Sequence, residues 1–479
     1  MKAYTKQFID GKWREGSGQN TLTNVDPFTG KELYSYRSAS VKDVDDAYQA
    51  AARAQKEWAF TPPGAKRAAL EALLQAIIDA SAEIEACLVE ENGAVKPKAG
   101  LEIFVIQDLV RTAMGFPLMM DGKILPSNMP GKENFIYRIP RGVVGTISPW
   151  NFPFILSMRS IVPALATGNG VVLKPSTDSP GSAFCIAEII EKCGAFPPGL
   201  FNAIAGKGSE IGDAMVKHPV PGVISFTGST AVGRRVGEIA GGHIKEVSLE
   251  LGGNNVMIVL ADADIERAAR AAAFGSNFNA GQVCMGLNRI IIMDAVHDRF
   301  VEALVEETKK LRVGDPRDPD VFIGPVINNT QVKSIENFIQ DTIRAGAKIA
   351  LEGKTEGNLV YPWVLTGVSN DMPTSCNEVF GPVSSVIRVK SEEEAVAAAN
   401  DTECGLSGSI FTGDRFHGMV LARKIDTGMI HINDQSINDE SHVMFGGLKA
   451  SGIGRFNAQW VIDKFTVDRW ISVQREHRF

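Results

Sequence analysis

Over residues 42–58 and 65–91, Ala and Leu recur at three- and four-residue spacing with charges between them, which predicts two amphipathic helices in an N-terminal layer. From Gly142 the pattern changes to short apolar runs at 143–147, 170–173, 200–204, 222–226 and 246–251, separated by helical stretches. A parallel sheet demands such runs, because its strands are covered on both faces. A second α/β region runs from Asn254 to about Gly454, with strands expected at 256–260, 289–293 and 384–389. Two β-like stretches, 118–139 and 470–475, fall outside this alternation, and exposed strands of that kind tend to pair with another subunit.

Composition narrows the class of function. A chain of 479 residues, 44% hydrophobic and 22% charged, fits two or three ordinary globular domains. A net charge of −7 provides no footprint for nucleic acid or an anionic membrane, so small molecules are the expected partners. No apolar run reaches the ~18 residues of a membrane span. The first residues also lack a secretory pattern, and a cytoplasmic location is expected. Six scattered cysteines without Cys-x-x-Cys pairs or Cys/His clusters predict free thiols and no structural metal.

Cys284 stands apart from the other five. It closes Gly-Gln-Val-Cys at 281–284, thirty-four residues after Glu250 in Leu-Glu-Leu-Gly-Gly-Asn. A thiolate is the best nucleophile among side chains, a glycine-containing loop lets substrate approach closely, and a glutamate supplies a base. Cys87, Cys185, Cys193, Cys376 and Cys404 lack such flanks and read as structural.

Other motifs fall at predicted strand ends, where doubly wound folds bind ligands. Ser-Pro-Trp-Asn-Phe-Pro at 148–153 offers Asn151 as an amide donor for a developing oxyanion, although asparagine also caps helices and the motif alone leaves both readings open. Lys174 ends the next strand, in reach of a cofactor hydroxyl or phosphate. Phe-Thr-Gly-Ser at 226–229 starts a helix whose free N–H groups suit a phosphate, or whose serine simply caps it. Gly206, Gly208 and Gly212 only loosely imitate a dinucleotide fingerprint. Glu378 and Phe380 are two apart, so an extended chain points both the same way, toward a ribose and a flat ring. The glycine-rich loop at 445–455 brings Phe445 as a pocket wall, or serves turn geometry alone.

Together these motifs resemble the aldehyde dehydrogenase superfamily, from Phe-Ile-Asp-Gly-Lys-Trp at 8–13 to Arg455. The loop from Ile432 to Val443, and Arg159 between Met158 and Ser160, are similar to those of its benzaldehyde, hydroxybenzaldehyde and vanillin dehydrogenase group. The resemblance implies an α/β fold with a Rossmann-like cofactor domain (1–117 and 140–252), an α/β catalytic domain (253–454) and a small β oligomerisation element (118–139 and 455–479). It implies Cys284 as nucleophile, Glu250 as general base, and Asn151 with the Cys284 N–H as oxyanion donors. Ile147, Ser148, Trp150, Lys174, Ser176 and Thr177 would hold NADP or NAD from one side. Gly228, Ser229, Leu251, Gln331, Glu378 and Phe380 would hold it from the other. The implied reaction is oxidation of an aldehyde to a carboxylate through a thiohemiacetal and a thioester, in a homodimer or homotetramer.

Three departures refine this expectation. Thr177 stands where NAD-preferring relatives have a glutamate on the adenine ribose; a neutral hydroxyl tolerates a 2′-phosphate, which favours NADP with NAD also accepted. Relatives acting on succinate semialdehyde grip its carboxylate with two arginines, but here only Arg159 is present and Phe278 replaces the other. With Phe152 and Phe445, Phe278 favours an aromatic guest. Met444 replaces the usual proline before Phe-Gly-Gly and changes the pocket wall. The competing readings are a semialdehyde dehydrogenase, a coenzyme A-acylating relative, a non-catalytic member of the fold and a cysteine hydrolase. The last two leave the joint presence of Cys284, Glu250 and Asn151, or the cofactor motifs, unexplained.

Overall fold

Ser40 opens the first long helix, Val41–Trp58: its hydroxyl accepts the N–H groups of Lys42 and Asp43 while Asp43 reaches back to the N–H of Ser40, a reciprocal cap. The computed structural model describes residues 2–477; Met1 and 478–479, which the predicted boundaries include, lie outside the described residues. The single helix expected at 65–91 is two helices, Pro63–Asp79 and Ser81–Asn92. The hydroxyl of Ser81 donates to the carbonyls of Ile77 and Ile78, competing with the helical ladder at the break.

The apolar runs form an eight-stranded sheet whose central strands are parallel. Val143–Ile147 lies between Gly170–Lys174 and Pro221–Thr227, and Glu246–Glu250 lies outside the latter. The register pairs Ile147 with Lys174 and Phe226, and Thr227 with Glu250, so all four strands end at one edge. Behind it, every residue of the helix Pro153–Ala166 is buried, consistent with its nearly unbroken apolar sequence.

Leu251–Asn254 carries the chain from this sheet into a second, seven-stranded one, in which Asn255–Val259 sits between Leu287–Met293 and Gly408–Phe411, all parallel. Glu250 thus ends one sheet five residues before Asn255 begins the other. The predicted β stretch at 118–139 is shorter than expected: a 3₁₀ turn at Phe116–Leu118, then Lys123–Leu125 and Lys132–Pro140. Lys132–Pro140 pairs along all nine residues with Thr466–Gln474 in a three-stranded antiparallel sheet that leaves Ile124, Trp470 and Ile471 exposed.

Candidate active site

Each candidate side chain is set by an element boundary. Pro153 occupies the first turn of the buried helix, where its missing N–H costs nothing. Asn151 does not cap this helix. The cap comes from another helix, Lys96–Ala113: Glu102, paired with Lys98 and fully buried, accepts the N–H groups of Phe154 (3.0 Å) and Ile155 (3.1 Å). Asn151 is left free for other work. Its Nδ2 donates to the carbonyl of Gln282 at 3.1 Å, and the second N–H of the same amide remains for a ligand.

The segment before the nucleophile candidate is strained. Asn279, Ala280 and Gly281 have successive φ values of 53°, 55° and 73° in the left-handed region. Such backbone persists only when surroundings over-determine it, and it clusters at active sites. Here Gln282 does so: its amide donates to Asn279 O and accepts the N–H of Ile327. Gly281 is also required sterically, because a Cβ there would sit 2.1 Å from the carbonyl oxygen of Gly381. Beyond Cys284, Asn255 Nδ2 donates to Cys284 O (2.7 Å) and Gly286 O (2.8 Å), while its Oδ1 accepts the N–H of Ser407 (2.9 Å). Ser407 then donates to Ser436 O, and Ser436 to Met285 O, so the loop from Ile432 to Phe445 is stitched to the thiol segment.

Cys284 is half-buried and lines two cavities that meet at it. Burial first, then the Glu250 and Glu378 carboxylates, push its thiol well above the usual range; Arg159 opposes them. Burial also pushes Glu250 up to about 8, and its Oε1 is buried without a hydrogen-bond partner. A raised, unpartnered carboxyl in the cavity of a protonated thiol is what a general base for neutral-pH chemistry requires.

The first cavity, about 320 Å³, brings together Trp150, Asn151, Gly228, Ser229, Glu250, Leu251, Gln331, Glu378 and Phe380 with Cys284. Two of these reach it differently from expectation. Phe380 has φ 53°, so the chain turns there rather than running extended from Glu378. Gln331 donates to the carbonyl of Phe380 at 3.0 Å and thereby holds that turn. Ile147, Ser148, Lys174, Ser176 and Thr177 do not line this cavity; Ser148 accepts the Ser157 hydroxyl, and buried Lys174 donates to Pro175 O with its pKa pushed down to about 8. One geometric feature suits the cofactor. A Cβ on Gly252 would meet Glu378 Oε2 at 2.3 Å, so this carboxylate, an acceptor for ribose hydroxyls, keeps its place at the cavity wall only because residue 252 is glycine.

The second cavity, about 250 Å³, is lined by Phe152, Arg159, Phe278 and Phe445, the four predicted pocket residues, together with Cys284. Phe278 stacks on Phe274 with centroids 5.0 Å apart and lies 6.2 Å from Phe152, making one wall aromatic. Several other lining residues were not anticipated, among them Leu101, Val105 and Asp439. Leu101 and Val105 were signalled only by their four-residue spacing on one helix face, and nothing in the sequence pairs Asp439 with Arg159, 280 residues away. Among the described residues no group of three or more His, Cys, Asp or Glu is placed to hold a metal, and no helix is long and apolar enough to cross a membrane.

Comparison with known proteins gives a consistent picture. The model of the aldehyde dehydrogenase family matches residues 13–471. A vanillin dehydrogenase of Corynebacterium glutamicum is 47% identical, with 98% of each chain covered. A benzaldehyde dehydrogenase of Bacillus subtilis is also 47% identical, covering 99% of this chain and 98% of its own. Among solved structures, an NAD-dependent benzaldehyde dehydrogenase from Corynebacterium glutamicum superposes with a TM-score of 0.91 at 44% identity, over 98% of this chain and 97% of that one.

Proposed function

The chain belongs to the aldehyde dehydrogenase family, and from that premise we propose that it oxidises an aromatic aldehyde to its carboxylic acid with NAD or NADP. The observation that carries this reading is the placement of Cys284 where a cavity containing Glu250 meets one walled by phenylalanines.

The chain's own groups account for each step except the acceptance of the hydride. The Cys284 thiol gives up its proton to solvent, its sulfur bonds to the formyl carbon, and the carbonyl pair moves onto the oxygen, which the Asn151 amide and the Cys284 N–H hold as it gains charge. When bound, the oxidised nicotinamide supplies the hydride acceptor that turns the thiohemiacetal into a thioester. Trp150 and Phe380, in edge contact at 5.5 Å, wall the cavity, while Glu378 and Ser229 would hold ribose and phosphate. Glu250 then takes a proton from the water that attacks the thioester, releasing the carboxylate and restoring the thiol. Asn151→Ala is expected to lower kcat by about 10²-fold, roughly 3 kcal/mol of oxyanion stabilisation. Steady-state kinetics that show a change in KM alone would remove Asn151 from this role.

The deciding experiment follows absorbance of the reduced nicotinamide with benzaldehyde, vanillin, 4-hydroxybenzaldehyde, hexanal and succinate semialdehyde, each with NAD and with NADP. The aromatic aldehydes are expected to give the highest kcat/KM. Thr177 beside Ser176 supports use of NADP as well as NAD, and a strong preference for NAD would overturn that part. The exposed sheet carrying Trp470 and Ile471 supports a homodimer or homotetramer. Light scattering at micromolar concentration is expected to give a multiple of the 51.6 kDa chain, and a monomeric mass would refute this assignment.

A further inference from the structure

Arg159 lies on the helix Pro153–Ala166 and is only 3% exposed. Its guanidinium stacks over the Phe445 ring at 4.0 Å, and its Nη2 donates to Asp439 Oδ2. Asp439 is held in turn by Asn457 Nδ2, which donates to its other oxygen at 3.0 Å. The pair is incomplete on the arginine side: Nε and Nη1 are both buried without a partner. Both residues line the cavity that Cys284 opens into.

A lone buried guanidinium would be a strong carboxylate receptor, because its fork matches two oxygens. Here Asp439 already occupies part of that fork, and the pair carries no net charge. A second carboxylate arriving on a substrate would meet the Asp439 charge in a desolvated cavity, where like charges are costly. A neutral hydroxyl suits the site better. It can donate to an Asp439 oxygen and accept from an unpartnered N–H of Arg159, satisfying buried donors that a bare ring leaves unmet.

We propose that the Arg159–Asp439 ion pair selects the substrate, admitting aldehydes whose ring bears a hydroxyl and rejecting those that bear a second carboxylate. The proposal rests on the reading of this cavity as the aldehyde site. Asp439 is thus a specificity-determining residue; because its charge also helps raise the Glu250 carboxyl, its role is read from ratios between substrates and not from the rate on one.

Benzaldehyde, 4-hydroxybenzaldehyde and 4-carboxybenzaldehyde test it, since only the substituent differs. The wild-type protein is expected to use the carboxylated ring at least about tenfold less efficiently than the hydroxylated one. Asp439→Asn removes the negative charge that cancels the guanidinium while keeping side-chain size. In that variant the 4-carboxy to benzaldehyde ratio of kcat/KM is expected to rise about tenfold or more, and the 4-hydroxy to benzaldehyde ratio to fall. Equal use of the two substituted rings by the wild type, or either ratio unmoved in the variant, overturns the proposal. The wild-type comparison decides alone if the variant does not fold. Oxidation of none of the three rings would defeat the aromatic-aldehyde reading and this proposal with it, whereas ring oxidation indifferent to the substituent defeats only this one.

Discussion

Replacing Cys284 with alanine is expected to abolish aldehyde-dependent reduction of the nicotinamide cofactor, with kcat/KM falling on the order of 10⁴-fold or more. No other thiol can substitute. Cys87 and Cys185 are buried in the N-terminal half, and Cys193, Cys376 and Cys404 do not line either cavity that meets at Cys284. The variant should fold normally, because Asn255 holds residue 284 through its backbone carbonyl and not through its sulfur. Stopped-flow absorbance gives the check: neither a burst nor steady turnover should be seen. Residual turnover within an order of magnitude of wild type would mean that the chemistry does not pass through this sulfur.

Glu250→Gln is expected to separate the two halves of the reaction. The first turnover, which needs the thiol and the oxyanion donors, should persist as a burst of reduced cofactor, while steady turnover falls by about 10² to 10³ for want of a base. Its pH profile is equally diagnostic. Burial raises the Glu250 carboxyl to about 8, so the ionised form that acts as base is lost as the pH falls below that value. Wild-type kcat should therefore climb as pH rises through about 8, and the glutamine variant should lose that limb. The same shift has a consequence for stability. Between the ordinary glutamate pKa and about 8 the folded state binds more protons than the unfolded chain, so this group's contribution declines as pH rises across that window. At alkaline pH the variant should consequently melt no lower than the wild type. Loss of the burst along with turnover would instead give Glu250 a part in activating the thiol.

The parallel sheets were legible because an apolar run bounded by helices has few other uses, and the motifs fell at strand ends, where the register of Ile147, Lys174, Phe226 and Glu250 now places them side by side. What escaped was set by distant partners. Whether Asn151 caps its helix depends on Glu102, half a hundred residues upstream, which takes that duty from it. The turn at Phe380 depends on Gln331 and on the approach of Gly281 to Gly381, neither visible in the local sequence. The break at Ser81 is a subtler case: a serine within an otherwise helical pattern fits either state until its hydroxyl chooses a carbonyl. Arg159 was legible as a pocket residue, but its charge was not, since Asp439 cancels it from the far end of the chain.

The stitching of Asn255, Ser407 and Ser436 bears on how such a protein can be diversified. These three side chains bind carbonyls and an N–H of the backbone around Cys284 and contribute nothing to the wall that faces a guest. The residues that do face it from this loop, Ile437 to Asp439 and Phe445, follow the last stitch. A combinatorial library confined to positions after Ser436 therefore samples new guests while leaving the reacting sulfur where it is. One that touches the three stitching residues changes reactivity and selectivity together, and its hits would be uninterpretable.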